Sequence, residues 1–343
     1  MRRLALFAGL VLASPAVAQE PPPDPPAPAP ERRPADAGGM GGLGGGPGGG
    51  MGGPGGPRYA VTWFPDRPVR GQPTRLGLVR QEVSAPVPLW MTPDGDALMG
   101  SLRAKNVLID TDAVLPDTRR PVPDTLWDLG VGLTYMRRFE NGWMGGLMVN
   151  VGAASDQPFA GLREMNVGGG GFLRVPAARD GDFWNFAIMY SPLGQLPFPV
   201  PGVSYQWRAS DRLQVNVGVP FSILWRPTDE VAVNVSYMPL TIINARATWT
   251  PRAGLSLFGG FEWGNEGYFL AGRDDRQERF LLLEKRLLVG ARYAVLDRLN
   301  LEVTTGHAFD RSFGTGASPL NSSTDQLRIG SGAFLAAGVS GRF

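Results

Sequence analysis

The sequence predicts an all-β chain: a transmembrane, antiparallel, up-and-down β-barrel of about 14 strands (range 12–16), after a signal peptide and a disordered Pro/Gly-rich segment. Three observations carry that prediction. From residue 98 onward, apolar residues alternate with polar or small ones at the period of two that strands require. Short polar turns alternate with longer connections, the arrangement of membrane barrels. After the first apolar stretch no run is long enough for a helical span; Phe280 to Val295 is broken by Glu284, Lys285, Arg286 and Arg292. A closed barrel is the other structure that satisfies its backbone in lipid.

Residues 1–18 read as a signal peptide. Arg2 and Arg3 precede the apolar stretch Leu4 to Ala13, and Ala16-Val17-Ala18 offers a small-x-small cleavage site before Gln19. The apolar run falls short of the ~20 residues of a spanning helix. With no Cys in the chain, acylation as a lipoprotein is excluded. Residues 19–57 form a low-complexity linker, proline-rich from Pro21 to Pro34 and glycine-rich from Gly38 to Gly56. Neither half buries enough apolar area to offset the entropy of ordering it. It serves as a spacer or tether, or as a segment that touches the cell wall or threads the lumen. Residues 58–97 remain open between an extra strand, a plug and a periplasmic piece; residues 98–343 are assigned to the barrel, with 101–112 as its first strand.

Clean alternation marks the later strands. Val215 and Val217 oppose Gln214 and Asn216; Val233 and Val235 oppose Asn234 and Ser236; Ala245 and Ala247 oppose Asn244 and Arg246. Leu257, Phe261 and Trp263 oppose Ser256, Gly260 and Glu262; Leu301 and Val303 oppose Glu302 and Thr304. Short turns follow at Glu140-Asn141-Gly142, Arg179 to Asp182, Ser210-Asp211, Thr228 to Glu230, Pro251 to Gly254 and Asp297-Arg298. Asn-Gly and Asp-Gly are strong hairpin signals. The opposite connections, 154–165, 192–199, 265–279 and 310–327, are longer, although Val219-Pro220 and Met238 to Leu240 read as tight. Trp143, Trp184, Trp207, Trp225 and Trp249 all lie beside short turns, which predicts a membrane-interface belt at one rim.

Composition removes several function classes. Without Cys there are no disulfides and no thiolate metal sites. The net charge of +2, from 33 basic and 31 acidic residues, gives no footprint for nucleic acid. The lone His307 excludes a multi-histidine metal site and leaves only a remote alternative, an outer-membrane hydrolase of the Ser-His type. Asp94 and Asp96, or Asp274 and Asp275, could offer oxygens to Ca²⁺, but neither pair fits a calcium loop, and solvated turns explain them. Gly168 to Gly171 lacks the Lys-Ser/Thr of a phosphate loop and reads as a strand where another segment approaches closely. Asn321-Ser322-Ser323 is a formal glycosylation sequon with no weight in the argument. No catalytic residue, cofactor or metal ligand is assigned.

The polar strand faces hold the candidate functional residues. Asn216, Asn234, Arg246, Glu262, Glu284, Arg286, Arg292 and Glu302 alternate against apolar positions, so in a barrel they face the lumen. Outward, an Arg at the bilayer midplane would cost ~2–4 kcal/mol. Both signs are present, which leaves two readings: a network that braces or plugs the lumen, or a pore constriction that tunes ion selectivity.

The last strand, from Ile329, alternates to an aromatic end at Phe343. This resembles the C-terminal strand of bacterial outer-membrane barrels, and the resemblance implies that Phe343 belongs to an assembly signal read by the barrel assembly machinery. Leu115-Pro116-Asp117, Pro123 to Trp127, Asp156 to Phe159, Leu196 to Val203, Gly218 to Phe221, Arg273 to Arg276 and Ala308 to Arg311 resemble an uncharacterised family of such barrels, a domain of unknown function. Covering roughly residues 75–343, that resemblance implies an outer-membrane location in a Gram-negative-type envelope, with outer-membrane lipids as partners, and no substrate. The function expected is a passive, porin-like channel for small polar solutes. The alternative is a closed structural or surface-interaction barrel. The solute and oligomeric state are not legible.

Overall fold

The computed structural model describes residues 56–193, 198–238, 242–273, 275–317 and 324–341. The signal peptide, all but the last two residues of the 19–57 linker, Asp274, the 321–323 sequon and Phe343 lie outside the described residues.

Every described element is a strand: β1 (Arg58–Pro68), β2 (Arg75–Met91), β3 (Ala97–Thr111), β4 (Thr125–Arg138), β5 (Met144–Ser155) and β6 (Met165–Pro176). There follow β7 (Phe183–Tyr190), β8 (Val200–Ser210), β9 (Leu213–Gly218), β10 (Phe221–Trp225), β11 (Val231–Met238) and β12 (Ile242–Arg252). Last come β13 (Leu255–Tyr268), β14 (Arg279–Leu296), β15 (Leu299–Gly316), β16 (Thr324–Ile329) and β17 (Gly332–Gly341). The strands pair antiparallel with their sequence neighbours except that β15 pairs with both β16 and β17, and β1 pairs with β17 from Arg58↔Ser340 to Trp63↔Leu335, which closes the ring. β16 and β17 pair with successive parts of β15, so they form one stave interrupted at Gly330-Ser331. The wall is a closed all-β barrel of sixteen staves.

Sixteen staves lie within the expected range of 12–16 and close to its centre of about fourteen. The first stave is not 101–112: β1 and β2 precede it, and the segment 74–91 is a full wall strand paired on both sides. Short turns define one rim, including 92–96; Gly142 and Gly181 take φ of +79° and +87° there, backbone that glycine enters without strain. The opposite rim carries the connections 69–74, 112–124, 156–164 and 269–278.

Exposure sorts the two faces of the wall. Leu133, Leu147, Val149, Ile188, Val217, Leu287, Val289, Val303 and Leu335 are exposed and share the outer face. The inner face carries the register partners Glu82–Lys105, Asn216–Ser222 and Arg292–Glu302. So continuous an apolar exterior exceeds the patches of soluble monomers.

Candidate functional site

The interior is unevenly filled. Arg80 of β2 reaches Glu284 of β14 at 3.0 Å and Glu266 of β13 at 3.4 Å. β2 and β13 are five staves apart, so this contact is a chord through the barrel. Lys105 of β3 joins Glu266 at 3.3 Å, and the Tyr268 hydroxyl donates to its other oxygen at 2.8 Å. Arg286 binds Glu262 at 2.7 Å and lies 3.7 Å from Glu284; Arg311 lies 3.8 Å from Glu284. Arg80, Lys105, Glu266 and Arg311 are each buried, and such charges persist only when paired.

Nearer the short-turn rim a second cluster centres on Glu302. Arg292 donates twice to one of its oxygens, at 2.6 and 2.9 Å; Arg246 approaches at 3.4 Å and Arg58 at 3.9 Å. Phe258, Leu288 and Phe334 lie between the clusters, with the Arg246 guanidinium 3.4 Å from the Phe258 ring centre. A crevice lined in part by Thr62, Glu82, Arg246 and Glu302 opens beside this layer.

Above the charges, toward the long-loop rim, Phe64, Leu78, Val107, Leu282, Phe280 and Phe313 form an apolar core. The β3–β4 connection, 112–124, folds onto it and buries Ala113, Leu115 and Val122. Gln72 holds Val114 by both amide groups, at 2.6 and 3.0 Å. The fully buried Asp325 accepts from the backbone N–H groups of Asp117 and Thr118, both at 2.9 Å, and from the Thr118 hydroxyl at 2.8 Å. Arg120 closes on Glu278 at 2.6 Å. This connection is an inward-folded plug.

A strap crosses the mouth. The Phe269 N–H donates to the Ala154 carbonyl at 2.8 Å, and the Ala271 N–H to Asp156 at 2.8 Å. Arg273 binds Glu164 at 3.4 Å and the Arg163 carbonyl, with its guanidinium over Phe269. These contacts join the ends of β13 and β5, which are eight staves apart in either direction. The strap therefore divides the outer mouth along a diameter.

On the other side of that divide the wall from β6 to β12 is lined differently. Asn166, Arg174, Asn185, Gln206, Gln214, Asn216, Ser222, Asn234 and Asn244 are half-exposed on the inner face, and Asn150 of β5 is exposed. Asn185 donates to Asn216 at 3.3 Å, and Asn216 to the Pro220 carbonyl at 2.7 Å. The outer connections here differ in length, nine residues at 191–199 between β7 and β8 and two between β9 and β10, and Leu193 of the first packs against the apolar core.

Of the lumen candidates, Glu262, Glu284, Arg286, Arg292 and Glu302 lie in the charged half, Arg246 reaches Glu302 from β12 at the edge of the polar half, and Asn216 and Asn234 stand in the polar half. Arg80, Lys105, Glu266 and Arg311 escaped the sequence reading. Glu266 follows Glu262 on the same parity and was reachable by extending that strand. Arg311 was not, because Asp310 at φ +48° with a register shift reverses the parity of β15. Trp143, Trp184, Trp207, Trp225 and Trp249 are all exposed on the outer surface near the short-turn rim. His307 also faces outward, between Leu287 and Ala333, with no serine among its cross-strand partners. Asp182, in a short turn, accepts from the Tyr205 hydroxyl and the Arg208 N–H, both at 2.7 Å; these bonds, the hydroxyl's first, hold its carboxyl below the usual range.

No protein-family model matches the sequence, and no curated protein matches it. Among solved structures, the chain is similar to the β-domain of the Bordetella autotransporter BrkA, at 13% identity and a TM-score of 0.32, over 84% of this chain and 100% of that one. It is also similar to Pseudomonas aeruginosa OccK7, at 13% identity and a TM-score of 0.36, over 83% of this chain and 98% of that one. A third is the transport unit of the Escherichia coli autotransporter AIDA-I, at 11% identity and a TM-score of 0.31, over 84% and 89%.

Proposed function

We propose that this protein is a passive channel for small polar solutes in the outer membrane of a Gram-negative-type bacterium, with the solute path along the β6–β12 half of the lumen. One observation carries the reading: the inner face of that half is polar and half-exposed, while the opposite half is packed with paired charges, an apolar core and the 112–124 plug. Water-filled wall and filled wall are what a channel with a braced side requires. The apolar exterior, the even stave count, the tryptophans at one rim and the short-turn/long-loop alternation support the membrane location. In planar bilayers the purified, folded protein should give stepwise conductance; a heat-modifiable barrel with no steps would reject the channel.

The second reading, a closed barrel that displays its outer loops, rests on the plug and its Asp325 latch. It predicts that deleting 113–122 switches conductance on, whereas the channel reading has conductance already present.

A further inference from the structure

Strands β5 to β12 contain no Asp or Glu at any position. Their cations are Arg174, Arg208, Arg246 and Arg252. Arg208 pairs with Asp211 at 3.0 Å and Arg246 with Glu302 at 3.4 Å. Arg174 has no ion pair among the described residues; its guanidinium stacks 3.6 Å from the Phe183 ring centre, and its Nε is buried without a protein acceptor. Arg138 of β4 stands beside it. Both pair in register with Met144, Arg138 from β4 and Arg174 from β6, so their Cα atoms lie about 10 Å apart on one face, two strand spacings. The stem of Arg138 lies over Gly95. Asp96, in that same turn, is held by the Arg138 backbone N–H at 2.9 Å and faces Arg137 at 4.0 Å.

Of the short-turn carboxylates, Asp94, Glu140 and Asp180 are exposed at the rim, and three others are engaged. Asp182 is bound by Tyr205 and the Arg208 N–H, Asp229 by Arg212 at 3.1 Å, and Glu230 by the Trp249 indole at 3.4 Å. The polar half thus presents amides and hydroxyls with no fixed negative charge on its strands, and at its edge Arg138 of β4 and Arg174 of β6 stand on one face. Two guanidinium forks on one face suit a carboxylate or phosphate, which accepts from each. One of them is already stacked on an aromatic ring, so little side-chain freedom is lost on binding.

We propose that the β6–β12 half admits small carboxylate- or phosphate-bearing anions in preference to cations, with Arg138 and Arg174 as the pair that captures them near the short-turn mouth. This rests on the channel reading for transport, while capture at the arginine pair stands apart from it. The experiment compares wild type, R138Q/R174Q and R138K/R174K, each purified as a folded, heat-modifiable barrel. Reversal potentials are read across a KCl gradient, and inorganic phosphate is titrated calorimetrically into the same samples. The expected result is chloride preference in the wild type, reduced about fivefold for each charge removed at close range in the glutamine variant and retained in the lysine variant. Cation preference, or a glutamine variant as selective as the wild type, overturns the proposal. If no conductance is seen, the channel reading falls. Phosphate heat that requires both arginines then still supports the capture site, and its absence in the wild type overturns that too.

Discussion

Strands β5 to β12 carry no carboxylate, whereas β13 to β4 bring Glu82, Asp128, Glu262, Glu266, Glu284 and Glu302 to the interior, where the last five are paired with arginine or lysine. The two halves belong to one continuous sheet and have the same kind of apolar exterior. What differs is the covering of the outer rim. Over the charged half lie the 112–124 plug, which buries Ala113, Leu115 and Val122, and the 269–278 connection; over the polar half lie 191–199 and the two-residue Val219-Pro220, none of whose described residues is buried. Where loops exclude water, a charge must find a partner, and the interior becomes a network of ion pairs with Phe and Leu between them. Where water enters, amides and hydroxyls suffice, and partners can be absent. Burial dictates the chemistry of each half.

Breaking the charged half should have the largest effect. Glu266→Ala leaves Arg80 and Lys105 short of their shared carboxylate, and the expected loss is ~3–5 kcal/mol of stability, read as a lower urea midpoint for the folded, heat-modifiable form. An unshifted midpoint would mean that the half is held by its apolar core alone. Loosening its cover comes next. Asp325→Asn removes the charge that draws in the N–H groups of Asp117 and Thr118, at a cost of about 2 kcal/mol for hydrogen bonds to a charged group. Trypsin should then cut after Arg119 while the barrel persists, and continued protection would show that Gln72 and Arg120 suffice to seat the plug.

In the polar half, Asn150→Trp places a large ring on an exposed inner position, so stability should stay within about 0.5 kcal/mol while single-channel conductance falls. An unchanged conductance would move the solute path away from β5. The smallest effect belongs to Asp182. Its folded-state pKa is depressed, so its contribution is full above the ordinary aspartate value of about 3.9 and is lost as pH falls through the lower folded value. Stability should therefore drop at acid pH, and Tyr205→Phe, which removes the leading cause of the depression, should flatten that drop.

Much of the polar half was legible in the sequence, and the charged half only in part. In β9, β11 and β12 one face meets lipid-like surroundings and the other water, so apolar and polar residues alternate. In β2 the inward Leu76 and Leu78 enter an apolar core while the outward Val79 and Val83 are apolar as well, so the contrast vanishes. Prolines at 86 and 88 weaken its strand signature further. That is why the segment of β1 and β2 stayed open between an extra strand, a plug and a periplasmic piece, and why the expectation centred on about fourteen staves. The charges on β12 to β15 stood out by parity, but their partner Arg80 sits on a strand more than 160 residues away, and no local period encodes a chord. The plug and strap are likewise products of closure: Asp325 meets Thr118, and Phe269 meets Ala154, only once the ring is joined.

The wall is also of unequal height. β14 and β15 run 18 residues each, about 60 Å along the strand, while β9 and β10 have 6 and 5, about 20 and 17 Å. Tilted as barrel strands are, the short pair rises less than the ~25 Å apolar belt of an outer-membrane barrel. In a bilayer, the leaflets beside β9 and β10 must thin to meet it, at fractions of a kcal/mol for each ångström of mismatch. The strain falls on one flank only, so the barrel imposes a polarity on the lipid around it, and two copies that turn their low flanks toward each other deform less membrane than two that stand apart.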